Sequence, residues 1–311
     1  MWDTRAFHLA VCEWPQMVPP AQLDLPPHRG QVVRHELLGQ GCDSHDLSVQ
    51  LTGISHPLCA AGAAPYTVFR AVPKGQAPAH GWPVLYLLDG NAAFDFLTAD
   101  LLAHVPDLMI VGVGQQCEGQ FDRDARARDL TFGAAGQHGL AADAGYGDRL
   151  TGGGAQFSAL LTGALRRVAE EGVQVDPARR TLWGHSLGGL FVVNQLLRHP
   201  ESFAQFAAIS PSLWWHPERL APFLAPPQTW AKNCTGRRAY LASGTREKRT
   251  GSPGPQPDAA PAAFDQLIAT LAAPGTLNVT HQIYDGAVHI ATLPSSLPWV
   301  LGFAADCLPT L

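Results

Sequence analysis

Short apolar runs recur along the chain, and turn residues or stretches with helical spacing separate them. The runs at residues 84–88 and 108–113 are continuous, which is typical of strands buried on both faces of a sheet. Further strand-like segments are 48–52, 66–72, 180–183, 206–209, 239–242 and 278–284. Because these segments alternate with helical patterns, we predict an α/β fold with a central, mostly parallel sheet and helices on both faces.

Three segments interrupt this alternation. The first 30 residues contain five prolines and predict an irregular N-terminal arm (residues 1–30), followed by a single domain over residues 31–311. Residues 131–154 are rich in Gly and Ala, and residues 250–261 are rich in Gly and Pro, so both segments predict long surface loops. Reactive groups of a parallel sheet collect on loops at the carboxyl ends of its strands.

Composition narrows the class of protein. The 311 residues are 46% hydrophobic and 15% charged, which is enough apolar material for a sizeable core. A formal net charge of −5 argues against a nucleic-acid partner. Neither a membrane-spanning run of about 18 apolar residues nor a signal peptide is visible. Six scattered cysteines without a C-x-x-C pair predict reduced thiols. Reduced thiols are typical of the cytoplasm, so we expect a cytoplasmic protein, with a periplasmic location left open. We expect it to be a monomer or a homodimer.

The pentapeptide Gly184-His185-Ser186-Leu187-Gly188 is the most informative motif. It lies between the strand-like residues 180–183 and the helical-looking residues 190–197. In that context G-x-S-x-G predicts a nucleophile elbow, a sharp turn that lifts the Ser186 hydroxyl above the sheet at the positive end of a helix. Such a turn forces the serine into a strained backbone conformation.

A serine hydroxyl needs a base to act as a nucleophile near neutral pH. In an α/β-hydrolase the acid and then the histidine follow the serine along the chain. His289 fits, since it follows the strand at 278–284 after a turn-like segment. The rival histidines lie in a strand, inside the elbow or before prolines on loops: His281, His185, His199 and His216.

The acid that orients the histidine should follow the strand at residues 239–242, where the chain supplies Glu247. Asp258 and Asp265, further along the chain, remain alternatives, and Glu247 could also be a solvated surface residue. The oxyanion of the reaction needs two backbone N–H donors. We predict Leu187, directly after the nucleophile, and Gly90, with the neighbouring Asn91 as the alternative.

Together these segments resemble the "putative esterase" family of α/β-hydrolases, and within it the siderophore esterases that cut trilactones of the enterobactin, salmochelin and bacillibactin type. The motifs that carry the resemblance are Tyr86–Gly90, Ile110–Gly114, Arg126–Thr131, Thr151–Gly153, Gly184–Leu190, Ile209–Trp215 and Gly244–Glu247. The resemblance implies that Ser186 and His289 perform the chemistry, that Leu187 and Gly90 form the oxyanion hole, and that Arg126 contacts the substrate. The segment 133–148 is longer and richer in Gly and Ala than this family leads us to expect.

A ferric triscatecholate is a large aromatic trianion, so its site needs cations and flat apolar surfaces. The predicted substrate-binding residues are Arg126, Arg128, Trp214, Trp215, Asn91 and His185. Two alternatives stay open. At least one of the arginines could pair with Asp129 or Asp122, and one of the adjacent tryptophans could belong to the core.

These observations predict a serine carboxylic-ester hydrolase that acts on a small-molecule ester without a catalytic metal or cofactor. The pattern H-E-x-x-H of zinc hydrolases does not occur in the sequence. A thioesterase, an acyltransferase or a generic carboxylesterase of the same fold is the enzymatic alternative. A non-catalytic iron-chelate binding protein is the alternative from a different class.

Overall fold

The computed structural model describes residues 36–59, 64–134, 136–137, 139–224, 227–248, 257 and 259–307. The predicted arm at residues 1–30 lies outside the described residues, as do most of the predicted loop at 250–261 and the alternative acid Asp258. The arm and the single-domain organisation therefore stay predictions.

Eight strands of the described chain form the main sheet. They are β1 (His45–Leu51), β2 (Tyr66–Pro73), β3 (Trp82–Leu88), β4 (Met109–Gln115), β7 (Val175–His185), β8 (Gln205–Ile209), β9 (Arg238–Arg246) and β10 (Asn278–Val288). Their order across the sheet is β1-β2-β4-β3-β7-β8-β9-β10. The strands β1 and β2 are antiparallel to their neighbours, and the remaining neighbours pair in parallel. All eight predicted strand segments overlap these strands, and the mostly parallel sheet is confirmed.

The helices cover both faces of this sheet. They are α1 (Glu36–Gln40), α2 (Gly90–Phe96), α3 (Ala99–Ala103), α4 (Arg123–Asp129), α5 (Gly154–Thr162), α6 (Ala164–Glu170), α7 (Leu187–Arg198), α8 (Ala221–Leu224), α9 (Pro227–Asn233), α10 (Ala262–Ala272) and α11 (Thr292–Ala305). The packing of strand β3 explains why its sequence is continuously apolar. Tyr86 and Leu88 pack into a cluster with α5, α6 and α7, whereas Leu85 and Leu87 pack into a second cluster with α2 and α11. Both faces of the strand are therefore buried.

The predicted loop at residues 131–154 contains a small hairpin, formed by β5 (Ala141–Asp143) and β6 (Arg149–Thr151). Asp143 anchors this hairpin, because its Oδ2 accepts hydrogen bonds from Trp215 Nε1 at 3.1 Å and from His216 Nε2 at 2.9 Å. Composition alone did not reveal the hairpin, since bonds from a distant segment hold it rather than local β-propensity.

Two features bear on where the protein works. The five cysteines in the described ranges are free thiols: Cys42, Cys59, Cys117, Cys234 and Cys307. In the same part of the chain, every helix is too short or too polar to cross a membrane.

The helix α7 packs unusually close to the strands beneath it. A Cβ on Gly189 would lie 2.7 Å from the carbonyl oxygen of Ile209, and a Cβ on Gly184 would overlap the backbone of Gly188. By contrast, a Cβ on Gly188 would meet its nearest atom, Asp89 Oδ2, at an ordinary distance of 3.5 Å. Two of these three glycines are therefore required by packing.

We expect Gly189→Ala to destabilise the fold and Gly188→Ala to be tolerated. Overpacking against a backbone carbonyl lowers the free energy of unfolding by about 1–3 kcal/mol. An alanine at position 188 has room and improves helix propensity, so its effect should stay within about 1 kcal/mol of wild type. Urea denaturation of both variants measures the difference. Equal stabilities would contradict the close packing of α7.

Candidate active site

Ser186 occupies the turn between β7 and α7, and its backbone is strained. Its φ of 62° and ψ of −116° lie in a region that non-glycine residues rarely adopt. Two backbone hydrogen bonds hold the turn: the Ser186 N–H donates to Ile209 O at 2.9 Å, and the Ser212 N–H donates to Ser186 O at 3.0 Å. This conformation presents the side chain at the carboxyl edge of the sheet.

His289 lies between the serine and a carboxylate. Its Nε2 is 2.9 Å from Ser186 Oγ, and its Nδ1 is 3.0 Å from Glu247 Oε2. The structure thus brings together the three residues predicted to perform the chemistry. One local expectation was wrong: β10 continues to Val288 with a register irregularity after Tyr284, so His289 follows an extended strand rather than a separate turn.

Glu247 is held as an anion. Its Oε1 accepts hydrogen bonds from the hydroxyl of Ser210, from Ser243 Oγ at 3.2 Å and from the Gly244 N–H at 2.8 Å. Burial favours the neutral acid, but the hydrogen bonds and the neighbouring imidazole of His289 outweigh it and lower the pKa of Glu247.

The alternative acid Asp265 lies on the solvent-exposed face of α10. The His289 Nδ1 that it would have to reach is already bonded to Glu247.

Buried polar side chains contact the backbone carbonyl group of His289. Thr292 Oγ1 donates to the carbonyl oxygen of His289 at 2.7 Å and lies 2.6 Å from Ser210 Oγ. His185 is 2% exposed, and its Nε2 is 2.9 Å from the same carbonyl oxygen. The side chain of His185, predicted to contact substrate, therefore lies behind the imidazole. Sequence analysis missed Thr292, because it begins a helix and carries no motif.

Ser212 is a further hydroxyl that sequence analysis missed as a site residue. Its Oγ is buried and lies 3.2 Å from Ser186 Oγ.

The two adjacent tryptophans differ in exposure. Trp214 is 41% exposed, whereas Trp215 is buried and donates its indole N–H to Asp143. The substrate-binding prediction for Trp215 is therefore wrong, and the core alternative holds for it.

Leu187 and Gly90 are each the first residue of a helix, in α7 and α2. The parallel pairing of Leu87 with Trp183 places these two corners side by side. The first N–H groups of a helix have no acceptor inside it, and the helix dipole adds partial positive charge there. A Cβ at position 90 would lie 2.7 Å from the carbonyl carbon of Gly112, so the corner requires glycine.

The side chain of Asn91 is anchored to β4 instead of facing a substrate. Its Oδ1 accepts from the Gln115 N–H at 3.0 Å, and its Nδ2 donates to Gln115 O at 3.1 Å. This bidentate contact pairs the backbone N–H and C=O of Gln115 at the end of β4. The Asn91 side chain therefore does not make the predicted substrate contact.

Both predicted substrate-binding arginines are paired with carboxylates. Arg128 donates from Nε to Asp129 Oδ1 at 2.5 Å and from Nη1 to Cys59 Sγ at 3.0 Å. Arg126 donates from Nε to Asp89 Oδ1 at 2.6 Å and from Nη2 to Asp89 Oδ2 at 3.0 Å. Pairing with Asp129 is the alternative given above for Arg128. Pairing with Asp89 was not foreseen, because the two residues are 37 positions apart.

A protein-family model described as "Putative esterase" matches residues 62–263. The chain belongs to this family. The esterase is similar to the apo-salmochelin esterase of Escherichia coli O6:H1, with 41% identity over 49% of this chain and 48% of that protein. It is also similar to the ferri-bacillibactin esterase BesA of Bacillus subtilis, with 31% identity over 77% of this chain and 84% of that protein. The alignment with the first relative spans about half of its length.

Among solved structures, the esterase is similar to the enterobactin and salmochelin hydrolase IroE. The TM-score is 0.67 and the identity 27%, over 87% of this chain and 99% of that chain. A second IroE structure, described as a complex with DFP, gives the same TM-score with 26% identity. These findings confirm the predicted α/β-hydrolase fold, the family resemblance and the assignment as an ester hydrolase.

We expect the esterase to lose stability in acid partly through Glu247. The folded-state pKa of this group is lowered from its ordinary value of 4.5. Its stabilising contribution is therefore fully present above pH 4.5 and is lost as the pH falls through the folded-state value. Glu247→Gln should show a shallower fall in the free energy of unfolding between about pH 5 and pH 3.

Urea denaturation across this pH range measures the slope for each protein. Glu201→Gln is the control, since the Glu201 side chain is 67% exposed, and it should keep the wild-type slope. Identical slopes for wild type and Glu247→Gln would mean that the carboxylate is not held as described.

Proposed function

We propose that this protein is a serine carboxylic-ester hydrolase that cleaves the ester backbone of a catecholate siderophore. The observation that carries the proposal is the hydrogen-bonded chain from Ser186 through His289 to Glu247 at a strained strand-to-helix turn. A nucleophile, a base within 2.9 Å and an orienting carboxylate form the constellation of covalent acyl transfer.

The reaction follows from this geometry. His289 Nε2 takes the proton of Ser186 Oγ as the oxygen attacks the ester carbonyl carbon, and the Glu247 carboxylate stabilises the resulting imidazolium. The N–H groups of Leu187 and Gly90 bind the oxyanion of the tetrahedral intermediate. The imidazolium then gives its proton to the departing alkoxide, which leaves an acyl group on Ser186. His289 next deprotonates a water molecule as the water oxygen attacks the acyl carbonyl carbon. The bond between the acyl group and Ser186 Oγ then breaks, the carboxylic acid leaves, and the imidazolium returns its proton to Ser186 Oγ.

The substrate class is supported by the relatives' names and by an exposed aromatic side chain that lies close to the site in the chain. Trp214 follows Ser212, whose hydroxyl contacts Ser186, by two residues. The ring of Tyr146 lies 6.3 Å from that of Trp214 at an interplanar angle of 32°, and the Arg149 guanidinium lies 5.8 Å from the Tyr146 ring. Flat rings suit an aromatic ester, whereas the Arg149 guanidinium is itself paired with Asp124 at 2.9 Å.

A thioesterase or acyltransferase of the same fold is the enzymatic alternative, and a small enclosed acyl site would favour it. The 41% exposure of Trp214 favours a larger, open substrate instead. A binding protein without catalysis would not need the Ser186 hydroxyl within 2.9 Å of a base. The cytoplasmic location and the oligomeric state stay predictions.

Removing the nucleophile tests the reaction. We expect Ser186→Ala to lower kcat by about 10⁴-fold or more on both a catecholate trilactone and p-nitrophenyl acetate. A fluorophosphonate should label wild type at Ser186, while Ser48→Ala, an exposed position on β1, should label and hydrolyse like wild type. Absence of labelling would favour a binding protein. Turnover of the short ester alone would retain the esterase and overturn the siderophore substrate.

Truncating the exposed indole tests the substrate surface. We expect Trp214→Ala to raise KM for the catecholate trilactone about 10-fold, since it removes ring contacts of about 1.4 kcal/mol, and to leave KM for p-nitrophenyl acetate near wild type. Leu51→Ala is the matched control, because Leu51 is 59% exposed on the far edge strand β1. Equal effects on the two esters would show that Trp214 does not select the aromatic substrate.

A further inference from the structure

Arg126 connects the two corners that supply the proposed oxyanion hole. Its guanidinium binds both carboxylate oxygens of Asp89, the residue before Gly90. Its Nη2 also lies 3.5 Å from the carbonyl oxygen of His185, the residue before Ser186. One side chain on α4 thus contacts the residue that precedes each corner.

The backbone conformation of Asp89 places its contact with Arg126 at the start of α2. Asp89 stands at the N-cap position of α2 with φ 52° and ψ 48°, in the left-handed region. Aspartate is a preferred N-cap residue, and its carboxylate ordinarily accepts from the N–H of the second or third helical residue. Among the described residues, however, the Asp89 side chain does not cap α2, and its oxygens bind Arg126 instead. The Ala92 N–H donates to the Asp89 carbonyl oxygen at 2.9 Å, so the N–H groups of Gly90 and Asn91 are the ones left for another acceptor.

Both polar and apolar side chains border the corner at Asp89. A small cavity of about 20 Å³ lies beside it, lined by polar groups that include Asp89, Asn91 and Arg126. A forked ion pair between side chains that are 12% and 5% exposed fixes the direction of the Asp89 carboxylate beside this cavity. The ring of Phe121 lies 4.9 Å from the guanidinium carbon. The guanidinium is thus largely enclosed by protein, which suits a structural contact better than a direct contact with substrate.

We propose that Arg126 is a positioning residue that neutralises the Asp89 carboxylate, draws it away from the N-terminus of α2 and ties this corner to the elbow, so that the N–H groups of Gly90 and Asn91 remain open to the oxyanion. The inference rests on the proposed esterase function. Without the guanidinium, the Asp89 carboxylate turns to the Asn91 N–H or stays as an unpaired negative charge beside the developing oxyanion. Both consequences oppose the transition state more than they oppose substrate binding.

The test uses a neutral substrate, p-nitrophenyl acetate, for which an anion-binding arginine has no role. We expect Arg126→Gln to lower kcat about 100-fold, as for the loss of one oxyanion donor, with KM changed less than about threefold. Arg126→Lys keeps the charge but cannot form the fork, so it should also lower kcat. Arg123→Gln, at an exposed position on the same helix, should behave like wild type.

A second-site change distinguishes positioning from substrate contact. Asp89→Gly suits the positive φ and removes both the competing cap and the charge. The double variant Asp89→Gly/Arg126→Gln should therefore recover about 10-fold in kcat over Arg126→Gln. If Arg126→Gln does not fold, the same recovery is expected on the Arg126→Lys background.

Two results would overturn the inference: an unchanged kcat on the neutral ester with a raised KM confined to anionic esters, or no recovery when Asp89 is removed. A wild-type protein that neither hydrolyses esters nor reacts with a fluorophosphonate would instead refute the proposed function. The two failures are therefore distinguishable.

Discussion

The backbone conformation of Ser186 is the constraint on which the rest of the site depends. A residue with φ 62° between a strand and a helix turns the chain so sharply that its side chain leaves the sheet. Close packing of α7, made possible by Gly184 and Gly189, holds the turn in place. Because the Ser186 hydroxyl is fixed at one point, His289 and Glu247 can converge on it from the ends of two other strands.

Much of this arrangement follows from local sequence signals. The strands are predictable because their apolar runs report burial on both faces, and the elbow because G-x-S-x-G lies between a strand and a helix. His289 and Glu247 follow from chain order, which the topology of a parallel sheet imposes on loops at its carboxyl edge. These signals depend on neighbours in the chain or on the fold class, so one sequence is enough to find them.

The side-chain partners around the site were not predictable in this way. Asp89 and Arg126 are 37 positions apart, and no local pattern indicates which cation a turn aspartate will meet. Asn91 follows Gly90 at the carboxyl edge of the sheet and was therefore predicted to contact substrate. Its side-chain amide is instead hydrogen-bonded to Gln115 at the end of β4. The charges of Arg126, Arg128 and Glu247 are therefore matched within the protein, and the proposed ligand contacts are the exposed Trp214 ring and the N–H groups of the proposed oxyanion hole.

The sheet order has a consequence for when this enzyme becomes reactive. Ser186, Ser210, Glu247 and His289 come from the ends of β7, β8, β9 and β10, which are four successive neighbours in the sheet. His289 follows directly after β10, so a chain in which β10 has not yet joined the sheet has no imidazole beside Ser186. Under the proposed mechanism, ester cleavage during refolding therefore begins only when β10 pairs with β9.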